Sequence, residues 1–256
     1  KNNPADPTSL CYNAIFHLME YNTGRLWVGT FGGGLNLVVE DTPGITFRRF
    51  FSSALTNKRY IRYIFQDREN RIWAGSYDGI ILFHPDEFLL DPANHTTFGF
   101  STEDPKGLNC NDIKTIFQHS RGEIWIGTAG GGLNRYRPSA QGTDRFTYYT
   151  SKNGLPGDII TAILESPYQT LWISTESGIT QFDSRREVFV THRFSDNTFG
   201  NFYSENACFL RKNGDMLWGT LDGMIAFNPQ LFSKNNYTPP VLFTDLFVED
   251  QRMEAG

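Results

Sequence analysis

The sequence predicts an all-β fold, a β-propeller of four-stranded antiparallel blades, because one short motif recurs five times along it. Each copy centres on a phrase such as WVGT or WIGT, and a glycine followed by an apolar segment comes after it. Successive copies begin 46, 52, 47 and 45 residues apart. Similarity repeated at about 40–50 residues is typical of propellers and solenoids. The copies are anchored at Trp27, Trp73, Trp125, Trp172 and, in a degenerate LWGT form, Leu217/Trp218.

The elements of one repeat follow each other in a fixed order, which the third copy illustrates. A first strand is predicted in NDIKTIFQH, because this run is rich in β-branched and aromatic residues and too short for an ordinary helix. The turn HSRGE follows, and the anchor strand then leads through a glycine turn into a third strand ending near Tyr136. A fourth aromatic segment, here FTYY, closes four of the five units. Four short strands joined by hairpins make up a propeller blade.

A helical repeat protein is excluded by the same pattern. A helix-pair solenoid needs two apolar stripes of 3.6-residue period in each repeat, and no such stripe spans the gaps between the turns. The chain also contains 24 glycines, which suit tight turns better than helices.

Composition and charge restrict the function classes. At 256 residues and 39% hydrophobic content, the chain is long enough to bury a sizeable core. A net charge of −5 without any basic run argues against nucleic acid or an anionic membrane surface as a partner. No stretch approaches the roughly 18 apolar residues of a membrane span. Since the chain begins at Lys1 and shows no signal peptide, we expect it to be a segment of a longer protein.

The cysteines and glycine runs do not predict a cofactor. Cys11 and Cys110 hold equivalent places in different blades, which need not bring them into disulfide reach, and with Cys208 they are expected to be buried free thiols. No Cys/His spacing matches a zinc site. The runs GTFGGG and GTAGGG each open a strand and lack the Lys-Ser/Thr of a phosphate-binding loop.

The repeats resemble those of the two-component-regulator propeller family. The third copy is the best match, through Ile113 to Ile116, Gly122, Trp125 to Thr128 and Gly130 to Leu133. The segment from Gly223 to Pro229, GMIAFNP, is similar to the last blade of such propellers. The stretch from Pro239 to Val248 resembles the opening strand of the Ig-like Y_Y_Y module that follows them. We therefore divide the chain into five blades over residues 1–238 and the start of a Y_Y_Y module over 239–256.

The resemblance implies a role and a location for the chain. Members of the family form the periplasmic sensor region of hybrid two-component histidine kinases, anchored in the inner membrane through a downstream region that is not present here. Oligosaccharide ligands, control of polysaccharide-utilisation genes and homodimerisation of the complete receptor are implied with it. Family propellers are similar to seven-bladed rings, so we expect these five blades to belong to a larger ring, although a closed five-bladed ring stays open as an alternative. If the chain is a fragment of such a ring, the edge strands at residues 10–20 and 205–230 are exposed and need covering by another chain or by disorder.

Candidate ligand-binding residues follow from the propeller scheme. The loops that enter first strands and those that link second to third strands share one face, and binding groups concentrate on such loops. Aromatic rings beside carboxylates, amides and one basic cluster suit saccharides, because a ring stacks on the apolar sugar face while polar groups bind hydroxyls. The candidates are Arg59, Tyr60, Phe31, Tyr77, Asp78, Asn111, Asp112, Glu176, Tyr203 and Glu205.

Two other functions and a purely structural interpretation stay open at this point. Asp and Asn at strand entrances also serve as turn or cap residues, and aromatic residues beside the repeat glycine also serve blade packing. A glycosidase or lyase would need two carboxylates about 5–10 Å apart, and the sequence does not single out a pair among Asp78, Asp112, Glu176 and Glu205. A protein-interaction scaffold is the third possibility. We predict a non-catalytic sensor segment.

Overall fold

The computed structural model describes residues 1–22, 24–41, 44–138, 145–192 and 202–231, together with the backbone of 246–248 and 251–253. Within these ranges the fold is an all-β propeller of five blades, four of them four-stranded and the fifth three-stranded. Strands within a blade pair with their sequence neighbours, and every pairing is antiparallel. The predicted fold class is thereby confirmed.

The strands of the blades follow the chain without a crossover. The first blade holds β1 (Ile15–Glu20), β2 (Leu26–Thr30), β3 (Gly34–Asp41) and β4 (Gly44–Phe50). The second holds β5 (Ile61–Gln66), β6 (Ile72–Ser76), β7 (Gly79–Phe83) and β8 (Thr96–Phe98). The third holds β9 (Ile113–Gln118), β10 (Ile124–Thr128), β11 (Leu133–Arg137) and β12 (Arg145–Tyr149). The fourth holds β13 (Ile160–Glu165), β14 (Leu171–Thr175), β15 (Gly178–Asp183) and β16 (Val188–His192). The fifth holds β17 (Tyr203–Leu210), β18 (Met216–Thr220) and β19 (Gly223–Phe227).

Helical structure is confined to connections in the described part of the chain. A single short α-helix, α1 (Pro85–Leu90), links β7 to β8, and 3₁₀ turns occupy Asn57–Arg59, Ser151–Asn153 and Pro229–Leu231. A two-stranded hairpin of β20 (Leu246–Val248) and β21 (Gln251–Met253) lies in the region assigned to the Y_Y_Y module. The rest of the predicted opening strand, residues 239–245, lies outside the described residues.

The core is a series of clusters, each formed where one blade packs on the next. The anchor tryptophan of a blade packs on the first and third strands of the following blade, as Trp27 does with Ile61 and Phe83. Trp73, Trp125 and Trp172 repeat this arrangement, and all four side chains are fully buried. The sequence assignment of these residues to packing between blades is confirmed.

The fifth anchor departs from the others because its tryptophan is displaced by one residue. Leu217 pairs with Ala226 in the register position that Trp125 holds opposite Arg135. Neighbouring side chains in a strand face opposite sides of the sheet. Trp218 therefore turns back into the cluster shared with the fourth blade instead of facing away from it.

The glycine of the anchor motif allows adjacent blades to approach closely. A Cβ atom on Gly75 would lie 2.6 Å from Ile113 Cγ2, and one on Gly127 would lie 2.5 Å from Ile160 Cγ2. Both isoleucines belong to the inner strand of the following blade. The β-branched residues of the first strands thus fill spaces left by glycines in the anchor strands.

The outer faces of the first and fifth blades carry exposed apolar side chains. Ile15 and Leu18 on β1 are 49% and 56% exposed, and Phe209 and Met224 in the fifth blade are 61% and 54% exposed. The sequence predicts exposed edge strands in the first and fifth blades if the chain is part of a larger ring. The number of blades in the complete ring stays a prediction.

Candidate functional site

The inner strands of the first four blades share a β-bulge at the same repeat position. In β5, for example, Ile61 pairs with Ser76 and Tyr63 with Gly75, so that Arg62 is an extra residue. A bulge redirects the side chain of the extra residue and is common beside functional sites. The bulged residues of the four blades are Phe16, Arg62, Lys114 and Thr161. The inner strand of the fifth blade, β17, has a wider irregularity between Tyr203 and Cys208.

Four aromatic side chains from the first two blades form a continuous surface, which we call the aromatic patch. Phe16 stacks on Phe31 with ring centroids 4.7 Å apart, and Phe31 lies 4.9 Å from Tyr60 and 5.3 Å from Tyr77. Tyr60 and Tyr77 complete the patch at 5.6 Å. A backbone bridge between Phe31 and Tyr60 fixes the two loops against each other. Three of the predicted ligand-binding residues are thus brought together, and Phe16 joins them.

Arg59 and Asp78 border the aromatic patch. The Arg59 guanidinium lies 4.7 Å from the centroid of the Tyr60 ring, and its Nη2 donates to the Tyr60 hydroxyl at 2.5 Å. Asp78 is in the β6–β7 turn next to Tyr77, where its backbone N–H donates to Ser76 Oγ. Arg59 therefore lies in the same surface as the rings, and Asp78 follows Tyr77 in the turn beside it.

Charged residues from three blades meet beside the patch, and we call Arg62, Asp112, Lys114 and Glu205 the charged cluster. Nη1 of Arg62 donates to both carboxylate oxygens of Asp112, at 2.9 and 3.2 Å. Its Nη2 donates to both oxygens of Glu205, at 2.7 and 2.9 Å. Lys114 Nζ also binds Glu205. Paired donors facing a carboxylate give strong, directional hydrogen bonds.

The cluster keeps Glu205 and Arg62 ionised. Burial raises the pKa of the Glu205 carboxyl, but hydrogen bonds and charges from Lys114 and Arg62 outweigh burial and leave that pKa below its usual range. Burial likewise opposes the charge of Arg62, and Asp112 and Glu205 more than offset it, so that the Arg62 pKa is raised. Glu205 is therefore a charged hydrogen-bond acceptor at neutral pH and a poor proton donor.

Tyr77 connects the aromatic patch to the charged cluster. The Arg62 guanidinium lies 5.1 Å from the centroid of the Tyr77 ring, a distance at which a cation is attracted to an aromatic face. The patch and the cluster together form one surface, the loop-face site. It offers apolar rings at one side and fixed charges at the other.

The other predicted residues serve the local structure. The Asn111 side-chain oxygen accepts from the Phe100 backbone N–H at 2.6 Å. The Glu176 carboxylate accepts from the backbone N–H groups of Asp158 and Ile159. Tyr203 is buried, burial raises its pKa to about 12, and its hydroxyl has no hydrogen-bond partner among the described residues. These residues are not placed in the loop-face site.

The central residues of the charged cluster were missed by the sequence reasoning. Arg62 and Lys114 lie in strands whose neighbouring residues are mainly apolar, so the runs RYIRYI and NDIKTI indicate structure first. A signal was nevertheless present. Both occupy the position eleven residues before the anchor tryptophan, and a long cation repeated at one strand position is unusual for a packed core.

The described residues show neither a metal-binding cluster nor a membrane-spanning helix. Among the described residues, no group of three His, Cys, Asp or Glu side chains is arranged to hold a metal ion. The three cysteines carry free thiols and are half-buried. No helix in the described ranges has the length and apolarity needed to cross a membrane.

Comparison with known proteins supports the repeat assignment. Residues 54–78, 107–130 and 154–177 match the family model described as two component regulator propeller. Histidine kinase P4 of Formosa agariphila is 26% identical to this chain over 247 residues, which are 95% of this chain and 17% of that protein.

Two solved structures have the same fold. One extracellular domain of a hybrid two component system from B. thetaiotaomicron, BT3049, aligns with a TM-score of 0.72 and 24% identity, over 94% of this chain and 32% of that one. Another from the same organism, BT4673, aligns with a TM-score of 0.68 and 19% identity, over 93% of this chain and 33% of that one. This chain therefore spans about a third of each of these domains.

Proposed function

Since the chain carries repeats of the two component regulator propeller family, we propose that it is a ligand-sensing segment of a histidine kinase receptor and acts outside the cytoplasmic membrane, in the periplasm. Its relatives are a histidine kinase and extracellular domains of hybrid two component systems. The proposal extends to an oligosaccharide ligand, control of polysaccharide utilisation and homodimerisation of the receptor.

The loop-face site is the observation that supports an oligosaccharide ligand. Tyr77 and Phe31 offer partly exposed aromatic rings, and the apolar side of a sugar stacks on the face of such a ring. Beside these rings, the Arg62 guanidinium is a charged donor and the Glu205 carboxylate is a charged acceptor. A sugar hydroxyl group can bind to a donor and to an acceptor. A site with rings and polar groups side by side therefore matches a saccharide, which has an apolar ring face and polar hydroxyl groups.

Binding is a better account of the charged cluster than hydrolysis. A retaining or inverting glycosidase needs one carboxyl group with a raised pKa to protonate the leaving group. Glu205 has a lowered pKa instead, and both Asp112 oxygens already accept hydrogen bonds from Arg62. Arg62 therefore forms ion pairs with both carboxylates of the charged cluster.

The proposal is tested by calorimetric titration of the purified chain with a panel of neutral and acidic oligosaccharides. We expect at least one oligosaccharide to bind, and replacement of the patch rings to weaken it. The same mixtures are assayed for new reducing ends and unsaturated sugars, and we expect none. Turnover that disappears in Asp112→Asn would establish the glycosidase or lyase alternative. Failure of every oligosaccharide to bind would remove the saccharide from the proposal.

Signalling requires more than binding. A ligand changes the output of a receptor only if it binds two receptor arrangements with different affinities. The charged cluster is the part of this chain suited to such a difference, because it joins the second, third and fifth blades through Arg62, Asp112 and Glu205.

A further inference from the structure

A basic cleft lies on the face of the propeller opposite the loop-face site, between the second and third blades. It has a volume of about 450 Å³. It is formed by the β5–β6 turn, the β9–β10 turn and the end of β11. Its charged lining residues are Arg71, Arg121, Arg135, Arg137, Glu69 and Glu123.

The lining of the basic cleft holds more arginines than carboxylates. Arg121 and Arg135 share one carboxylate, that of Glu123. Arg71 pairs with Glu69 and with Asp67, which is buried beneath the cleft and also accepts from an anchor tryptophan. Among the described residues, no carboxylate forms an ion pair with Arg137. Four guanidinium groups thus line the cleft with two carboxylates, whereas Asp67, Asp183 and Glu187 act on these arginines from outside the lining.

Three of the four guanidinium groups are held in place before any ligand arrives. Arg71 lies 5.7 Å from the ring centroid of Trp73, and Arg135 lies 5.4 Å from that of Trp125. Arg121 donates to Ser184 Oγ in the fourth blade. Fixed donors lose less conformational entropy when they bind a partner than free side chains do.

The charge balance acts on Arg135 directly. Burial lowers the pKa of Arg135 and the charge of Arg137 lowers it further, whereas Tyr149 and Glu187 oppose this shift without cancelling it. The added charge of a bound anion would relieve this repulsion.

The repeat does not require arginine in this cleft. The residue that pairs with the anchor position is Leu37 in the first blade, Leu82 in the second, Gln181 in the fourth and Ala226 in the fifth. Only the third blade has a charged residue there, Arg135. Blade packing explains the apolar residues at this position, but it gives no reason for a partly buried arginine.

We propose that the basic cleft binds an oxyanion, a sulfate, phosphate or carboxylate group carried by a small polar molecule. Arginine forks match the oxygen pairs of such groups, and several guanidinium groups around one cavity are typical of oxyanion sites. A second cleft of about 510 Å³ adjoins the first and shares Arg71 and Tyr136 with it. It provides room for the molecule that carries the anion, such as a sulfated or uronic-acid saccharide. The inference does not depend on the loop-face site.

The test is a titration of the purified chain at constant ionic strength. The probes are inorganic sulfate, inorganic phosphate, a sulfated disaccharide, a galacturonate oligomer and the uncharged counterpart of each saccharide. The main variant is Arg137→Glu, because this exposed side chain is outside the core. The matched control is Lys212→Glu, which makes the same charge change in the β17–β18 turn of the fifth blade, where the side chain is exposed. Circular dichroism checks that both variants fold.

We expect at least one anionic probe to bind and its uncharged counterpart not to bind. Arg137→Glu should weaken that binding by about tenfold or more, the effect of losing a charged hydrogen bond, whereas Lys212→Glu should change it less than about twofold. If a sulfated or acidic saccharide binds more tightly than the free ions, the ligand is an anionic saccharide. If the free ion binds more tightly, the ligand is the inorganic ion. Absence of binding by all anionic probes, or equal losses in the two variants, would overturn the proposal. Loss of binding in Tyr77→Ala would place the anion in the loop-face site and overturn it as well.

Discussion

Arg62 and Glu205 are 143 residues apart in the chain, yet Nη2 of Arg62 donates to both Glu205 oxygens at 2.7 and 2.9 Å. The pair connects the inner strand of the second blade to that of the fifth. Because Arg62 also binds Asp112, one buried guanidinium joins residues from three blades. The tryptophans join consecutive blades, whereas this ion pair joins the inner strands of two blades that are not consecutive.

The first prediction concerns the pH dependence of this ion pair. The Glu205 pKa is lowered in the folded protein, because Lys114 and Arg62 outweigh burial. A lowered folded pKa means that the carboxylate stabilises the fold above the pKa of an unfolded glutamate, about 4.3. The stabilisation is lost as the pH falls through the lower folded pKa.

Glu205→Gln should therefore reduce the free energy of unfolding by about 1 kcal/mol at pH 7, a small value because solvent screens this partly exposed group. The difference from the parent chain should shrink as the pH is lowered from 5 to 3. Denaturant titrations at several pH values measure it. Glu103→Gln, at an exposed position, serves as the control. A difference that stays constant down to pH 3 would contradict the ionised pair.

The second prediction concerns packing between the third and fourth blades. Trp125 is fully buried and lies 5.5 Å from Phe182, edge to face. Trp125→Ala should lower the free energy of unfolding by about 3–5 kcal/mol, because it removes a large core side chain. Chemical denaturation followed by circular dichroism measures the loss. Tyr168→Ala, at a half-exposed side chain, should change it by less than about 0.5 kcal/mol. Equal stability of the two variants would mean that the anchor is not part of the core.

The third prediction concerns the glycine of the anchor motif. A Cβ on Gly127 would lie 2.5 Å from Ile160 Cγ2 and 2.7 Å from Thr115 Cγ2. Gly127→Ala should therefore destabilise the fold by about 1–3 kcal/mol through overpacking. The control is Gly44→Ala, because a Cβ there has no neighbour within 4 Å. Thermal unfolding compares the two variants. An unchanged Tm for Gly127→Ala would show that the blades can move apart to admit the methyl group without loss of stability.

The fourth prediction concerns the aromatic patch. Tyr77 contacts Phe31, Tyr60 and the Arg62 guanidinium. Once a binding oligosaccharide is identified, Tyr77→Ala should weaken it by about 5- to 150-fold, equivalent to about 1–3 kcal/mol. Tyr168→Ala, a half-exposed tyrosine outside the patch, should bind like the parent. Calorimetry gives both affinities, and unchanged binding by Tyr77→Ala would move the ligand away from the loop face.

The same experiment applies to the basic residue of the patch. Arg59 lies over the Tyr60 ring and donates to its hydroxyl. Arg59→Ala and Tyr60→Ala should each reduce affinity within the same range while leaving the protein folded. Reduced affinity accompanied by a lowered Tm would indicate a structural role instead.

The loop-face site was only partly predictable from the sequence. The sequence identified Phe31, Tyr60 and Tyr77, because the order of strands in the repeat places their loops on one face of the propeller. Arg62 and Lys114 could not be identified in this way. Strand alternation assigns each side chain to a face of the sheet, but a bulge breaks that alternation at one residue, and the sequence does not mark the bulge.

The sequence by itself determined the repeat, the strands and the packing role of the tryptophans, because these depend on local spacing that recurs five times. The tertiary structure alone decided which polar residues meet. Asn111 and Glu176 are residue types that could bind a ligand, but in the structure their side chains accept hydrogen bonds from backbone N–H groups. Glu205 reaches Arg62 from three blades away, and the ring brings these residues together. Contacts between residues so distant in sequence depend on how the blades are arranged relative to one another, whereas the strands depend only on their own residues.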